Sequence, residues 1–222
     1  MTSPRPILAA ALLTLALAAC AGSSPSSTPA TSSTASGTTA PTASDAAAPG
    51  AAVATPDAAT TSPTCTAPAT ATIAETEGPY YKAGAPESAD LTTDSMTGTR
   101  LTLTGYVVTT DCTPLANAKV EIWQADSAGN YDNSGYTLRG YVLTDGNGQF
   151  AIKTVVPGEY PGRTEHIHVK VTPDGGATLT SQLYFPGTTA NDSDGIYDPS
   201  LLLDITQDGD ALIGTYTFVI AA

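Results

Sequence analysis

The chain has 222 residues and a formal net charge of −13, with 21 acidic side chains against 8 basic ones. So few cations cannot assemble a phosphate-neutralising surface, which excludes nucleic acid as a partner. The length allows one domain, or one domain with a tail, and its 10 tyrosines stand out against 3 phenylalanines and 1 tryptophan. Tyrosine suits half-buried strand surfaces, and it is also a source of phenolate ligands.

Residues 1–20 read as an export signal. Arg5 supplies the positive start, Ile7 through Leu17 the apolar run, and Leu17-Ala18-Ala19-Cys20 the small-residue cleavage region. That run is too short to span a bilayer. Leu-Ala-Ala-Cys resembles the lipobox of bacterial lipoproteins, which implies lipidation of Cys20 as the first mature residue; a plain secretory signal cleaved nearby is the other reading. On either reading the protein is expected outside the cytoplasm, with a lipid anchor as its only membrane contact. Residues 21–64 are almost entirely Ala, Ser, Thr, Pro and Gly, with Asp45 and Asp57 the only charges. Such a stretch has too little bulky apolar surface to offset its ordering entropy, so a disordered tether is predicted, with a folded body over 65–222. Once Cys20 is set aside, Cys65 and Cys112 remain. In an oxidising compartment they most simply form one disulfide, two free thiols being the alternative.

Within the body, Leu101–Val108 alternates and enters a polar turn, so it is predicted as a strand. Val120, Ile122 and Gln124 alternate with Glu121 and Trp123 in a second. A third runs from Leu138 to Leu143 and stops at Asp145-Gly146-Asn147-Gly148, a turn signal. Phe150–Val156 resumes the sheet, and the histidine strand, Leu179–Phe185 and Leu212–Ile220 follow. No segment carries a helical stripe. These elements predict one mostly antiparallel β-sandwich. Two long irregular sections, between Gln124 and Leu138 and from Pro186 to Ser200, are of a length that marks functional or poorly ordered loops.

The most informative stretch is Tyr160-Pro161-Gly162-Arg163-Thr164-Glu165-His166-Ile167-His168, because it contains both histidines of the chain. On a period-2 strand His166, His168 and Lys170 share one face, with Ile167, Val169 and Val171 on the other. Two imidazoles side by side on a stiff strand are a ready pair of metal ligands, although surface histidines on a half-exposed strand fit the pattern too. Tyr131 lies in the first irregular section, where its position alone suggests a loop aromatic packed against the sheet.

Taken together, these residues resemble the intradiol ring-cleavage dioxygenases, non-haem ferric enzymes that open catechols between their hydroxylated carbons. The resemblance runs from about Gly105 to Phe185. It rests on Val120-Glu121-Ile122-Trp123-Gln124-Ala125-Asp126 with Gly129-Asn130-Tyr131, on Leu138-Arg139-Gly140, on Val156-Pro157-Gly158-Glu159-Tyr160, on Arg163 with His166-Ile167-His168, and on Leu179 through Phe185. It implies an Fe(3+) cofactor held by Tyr131, Tyr160, His166 and His168, with Tyr160 and His168 axial and water or hydroxide in a fifth place. It further implies that a catechol displaces Tyr160, that dioxygen is the second substrate, and that a cis,cis-muconate is the product. Arg163 matches the family arginine that stabilises the electron-rich ring, and Gln182 the glutamine beside it. Glu77-Gly78-Pro79-Tyr80-Tyr81 resembles a Gly-Pro-aromatic segment of the family, which makes Tyr80 and Tyr81 candidate walls of the substrate pocket. The export signal and the lack of a helical N-terminal region depart from the better-known cytosolic members, so the oligomeric state does not follow from the resemblance.

Two other classes compete. Segments such as Leu115 through Val120 and Val156 through Tyr160 also resemble repeats of surface proteins, which implies a non-catalytic adhesion or carbohydrate-binding module. A zinc or copper hydrolase would use the two histidines with an acid such as Glu165 or Asp126, but Glu165 has the opposite strand parity.

Overall fold

A computed structural model of the protein describes residues 63–221. The export signal, Cys20 and the tether as far as residue 62 lie outside the described residues. Eight strands form two four-stranded sheets. They are β1 (Arg100–Thr109), β2 (Lys119–Gln124), β3 (Arg139–Leu143), β4 (Gln149–Val155), β5 (His166–Thr172), β6 (Leu179–Tyr184), β7 (Asp204–Asp208) and β8 (Ala211–Ile220). One sheet has the order β4-β1-β8-β7 and the other β3-β2-β5-β6. Every pair is antiparallel except β1 with β8, which run parallel from Leu101 beside Leu212 to Thr109 beside Ile220.

The predicted β-sandwich is present, and the irregular sections are loops carrying only short 3-10 turns at Thr189–Ser193 and Pro199–Leu201. One strand was not legible. β7 reads Asp-Ile-Thr-Gln-Asp and is mostly exposed at a sheet edge, so it lacks the apolar alternation that betrays a half-buried strand.

Between the sheets lies an apolar core to which β1 gives Leu101, Leu103 and Val107, β2 gives Val120 and Ile122, and β5 gives Ile167, Val169 and Val171. Burial of these side chains, worth roughly 1.5–3 kcal/mol each, fixes the strand registers, because a slip of one residue would turn each apolar set outward. The same constraint sends His166 and His168 to the outer face of their sheet. That face is covered by the chain before β1, which runs along strands of both sheets. Glu75 N–H donates to Thr180 O, Thr72 N–H to Val219 O, Ser88 N–H to Tyr141 O and Leu91 N–H to Lys153 O, all at 2.9 Å. A disulfide between Cys65 and Cys112 ties the start of this arm to the loop after β1.

Candidate metal centre

β5 is an inner strand, so its register with both neighbours is set by two ladders. Trp123 of β2 lies opposite His168, and Gln182 of β6 lies opposite it on the other side. Arg139 of β3 is opposite Trp123. One row of side chains, Arg139–Trp123–His168–Gln182, therefore crosses the whole sheet. Trp123 stacks flat on His168, with ring centroids 4.9 Å apart and planes 5° from parallel. His166 and His168 are 2% and 0% exposed.

Loops deliver the phenols. Asp126 Oδ1 accepts the N–H groups of Ala128 and Asn130, folding 126–130 into a tight turn that presents Tyr131. This turn is pressed against the loop carrying Tyr160. Gly158 N–H donates to Asp126 O at 2.8 Å. A Cβ on Gly158 would come within 2.7 Å of Gly129 N, and one on Gly129 within 2.3 Å of Glu159 O. Only glycine at both places lets the two backbones approach this closely.

The four candidate donors meet at one point. Tyr131 Oη and Tyr160 Oη each lie 3.5 Å from His166 Nε2, which is 3.2 Å from His168 Nε2. Donors sharing one ion at roughly 2.0–2.2 Å stand about 2.8–3.8 Å apart, so these spacings fit a common metal ion. The protonation pattern fits as well. His166 Nδ1 is 2.6 Å from Thr164 O, and a carbonyl can only accept, so Nδ1 carries the proton and Nε2 keeps its lone pair. Burial holds His166 near a pKa of about 4. Burial, then the neighbouring His166, holds His168 well below the usual range, so both rings are neutral at pH 7. The phenols behave in the opposite sense. Burial, then Tyr160, pushes Tyr131 upward, and burial raises Tyr160 against the pull of Arg163. Their ionisation therefore requires a cation between them.

Around the donors stand the other candidates. Arg163 donates to Asp194 Oδ2 at 2.9 Å through Nε, approaches Tyr160 Oη at 3.4 Å through Nη1, and donates to Gln182 Oε1 through Nη2. Burial would raise the Asp194 carboxyl, but hydrogen bonds from Arg163, Ile196 N–H and Thr164 N–H outweigh it and hold the group ionised. Gln182 Nε2 donates to Thr76 O of the arm. Tyr80 stacks on Tyr131 at 4.3 Å and lies edge-on to Tyr160 at 6.1 Å. Tyr81 instead packs edge-on against Trp123, with Lys170 Nζ over its ring. Asp126 is engaged by its own turn, and neither it nor Glu165 joins a cluster of three or more His, Cys, Asp and Glu side chains among the described residues.

Comparison with known proteins gives the family. A family model described as "Dioxygenase" matches residues 76–222. The chain belongs to the intradiol ring-cleavage dioxygenase family. Among relatives of this chain is the catechol 1,2-dioxygenase of Acinetobacter baylyi, 34% identical in an alignment of length 140 that covers 50% of this chain and 45% of the relative. The chlorocatechol 1,2-dioxygenase of Pseudomonas sp. strain P51 is 31% identical over 65% of this chain and 68% of its own length. The chain spans about half the length of several such catechol 1,2-dioxygenases. The dioxygenase domain of a dioxygenase–carbohydrate-binding protein fusion from Streptomyces sp. SirexAA-E superposes with a TM-score of 0.68 and 43% identity, covering 69% of this chain and 99% of that domain.

Three features of this site escaped the sequence. Gly78 lies against the His168 ring, where an added Cβ would sit 3.1 Å from Cε1. Asp194 anchors Arg163 from a loop 31 residues away. Arg139 lies in the His168 row, a fact that follows from strand pairing and could not be read from any one strand. For Arg139, matching the parity of β2 and β3 to that of β5 was the available signal; Asp194 had none.

Proposed function

We propose that the protein is a ferric intradiol dioxygenase that opens catechol-type diols with dioxygen to cis,cis-muconate-type products outside the cytoplasm. The observation that carries this reading is the convergence of two phenols and two neutral imidazoles on one point. Two ionised phenols offset most of the charge of a trivalent ion, and such hard anionic donors favour ferric over ferrous iron. Tyr131, Tyr160, His166 and His168 would hold the ion. Bound there, ferric iron would supply Lewis acidity that draws electron density from a diol's ring and makes it reactive toward dioxygen.

The chain's own groups do the rest. Tyr160 sits on a loop, and its raised pKa favours the neutral phenol once it leaves a metal. Tyr160 Oη is thus both the exchangeable ligand and a place for one proton of the incoming diol. Arg163, pinned by Asp194 and Gln182, holds a fixed positive charge beside Tyr160, where charge builds on the ring. Tyr80 stacks over Tyr131 and covers that face of its ring. An adhesion module has no use for buried, converging donors of this kind.

Residues 1–20 as signal, Cys20 as lipidation site, 21–64 as tether and 65–222 as catalytic domain complete the proposal. The Cys65–Cys112 disulfide supports an oxidising compartment. The test is anaerobic addition of catechol to the as-isolated protein. A new long-wavelength charge-transfer band, followed by muconate absorbance on admitting air, is expected; no band and no product would refute the reading.

A further inference from the structure

Arg139 is 2% exposed, yet it is in none of the ion pairs among the described residues, which join Lys119 to Glu121, Arg163 to Asp194 and Lys170 to Glu77. It bonds only main-chain carbonyls, Asp132 O through Nε at 3.1 Å and Tyr80 O through Nη1 at 2.7 Å. Its Nη2 is buried with no hydrogen-bond partner. The carboxylate of Asp132, whose carbonyl it holds, is turned to the N–H groups of Ser134, Gly135 and Thr137. A buried cation without a counter-charge costs stability, so its presence calls for another reason. A second cost is met in placing it. Leu138, which precedes it, is buried with φ at +54°, a left-handed conformation unfavourable for a branched side chain.

What lies beside that charge is the Tyr131 ring. The guanidinium carbon is 5.8 Å from its centroid, inside the roughly 6 Å reach of a cation–π contact. Burial pulls the guanidinium below its usual pKa range, and Tyr131, ahead of Asp132 and Tyr136, acts against that pull. The two hydrogen bonds of Arg139 also fix the ring in place. Asp132 follows Tyr131 in the chain, and the ring of Tyr80 stacks on that of Tyr131 with centroids 4.3 Å apart. Arg139 therefore ties together the two main-chain segments that carry this stack.

We propose that Arg139 is a positioning residue of the metal centre, which holds Tyr131 against Tyr80 and sets an unshared positive charge beside its phenol. The inference rests on the dioxygenase reading above and deepens it. A phenolate next to a fixed cation is held lower in energy and donates less electron density to an ion it binds. More of the ion's withdrawing power is then left for the diol. Arg163, which reaches Tyr160, is paired with Asp194, whereas Arg139 has no carboxylate and faces Tyr131.

The test sets Arg139→Met, which removes the charge from a side chain of similar length, beside Arg139→Lys, which keeps it. Replacing a buried ion by an apolar group is often neutral for folding, so metal-free Arg139→Met is expected to melt within a few degrees of the native protein. With iron bound, its phenolate-to-iron band should move by roughly 10 nm or more to longer wavelength. Its kcat should fall about tenfold, while Arg139→Lys holds the native band. The shift should persist when Arg139→Met is combined with Tyr160→Phe, which leaves Tyr131 as the coloured ligand, and vanish when it is combined with Tyr131→Phe. A band unmoved by Arg139→Met, moved alike in both tyrosine backgrounds, or moved as far by Arg139→Lys would overturn the inference. So would a metal-free Arg139→Met protein that melts far below the native one, because Arg139 would then be a structural clamp. If Arg139→Met does not fold at all, Arg139→Lys decides: the native band supports the charge, and a displaced band overturns it. A native protein that is coloured by iron but turns over no diol refutes the dioxygenase reading, while the band comparison still reports on Arg139. One that takes up no ferric iron overturns both.

Discussion

His166 and His168 stand on β5, an inner strand held by ladders on both sides, whereas Tyr131 and Tyr160 come from loops held by a few turn hydrogen bonds and one close contact between glycines. The imidazoles are almost wholly buried, and the phenols remain partly open to solvent. On the proposed reading the sheet would supply ligands that must not move, and the loops ligands of which one must leave. A rigid half fixes where an ion sits, and a yielding half lets a bidentate substrate replace a side chain without unfolding anything.

Breaking the rigid half should have the largest effect. His168→Ala removes a ligand and the ring on which Trp123 stacks, so both bound iron and turnover should fall by more than the roughly 10–100-fold typical of losing an outer partner of a ligand. Metal analysis alongside oxygen uptake checks this, and full iron content with normal uptake would contradict it. Arg163→Ala sharpens the comparison from the loop side. It touches Tyr160 but is no ligand, so iron and visible colour should persist while kcat drops by roughly 10²–10³-fold. Loss of iron in that variant would show that Arg163 supports the site's structure instead. The smallest effect on chemistry is expected at the far end of the arm. Cys65→Ser should lower stability by about 2–4 kcal/mol, read as a lower Tm, because the unfolded chain regains the freedom of a long loop. Below the unfolding range kcat should stay within about twofold, since Gly78 and Tyr80 are held near the site by their own contacts and by the arm's pairing with β6.

The same division explains what the sequence made legible. Strand alternation reports which face a residue takes, and that was enough to place His166 and His168 together away from Ile167, Val169 and Val171. It says nothing about which strand lies beside which. The row joining Arg139, Trp123, His168 and Gln182, and the parallel pairing of β1 with β8, depend on topology and stayed hidden. Loop residues have no period at all. Tyr131 on its position alone looked like a packing aromatic, and it entered the candidate site through the family resemblance. Tyr80 and Tyr81 were indistinguishable as neighbours in a Gly-Pro-aromatic segment, yet one stacks on Tyr131 and the other on Trp123. Asp194, which orients Arg163, lies in a stretch without any motif. β7 was missed because an exposed edge strand of polar residues has no apolar face to announce it.

The central claim is tested most directly by the visible spectrum and iron content of protein purified without added metal, compared with its Tyr131→Phe and Tyr160→Phe variants. About one iron per chain is expected, with a wine-red phenolate-to-iron absorption that each substitution shifts or weakens. A colourless, iron-free protein, or a coloured one whose spectrum is the same in both variants, would contradict the assignment of the two phenols and two imidazoles to a single ion.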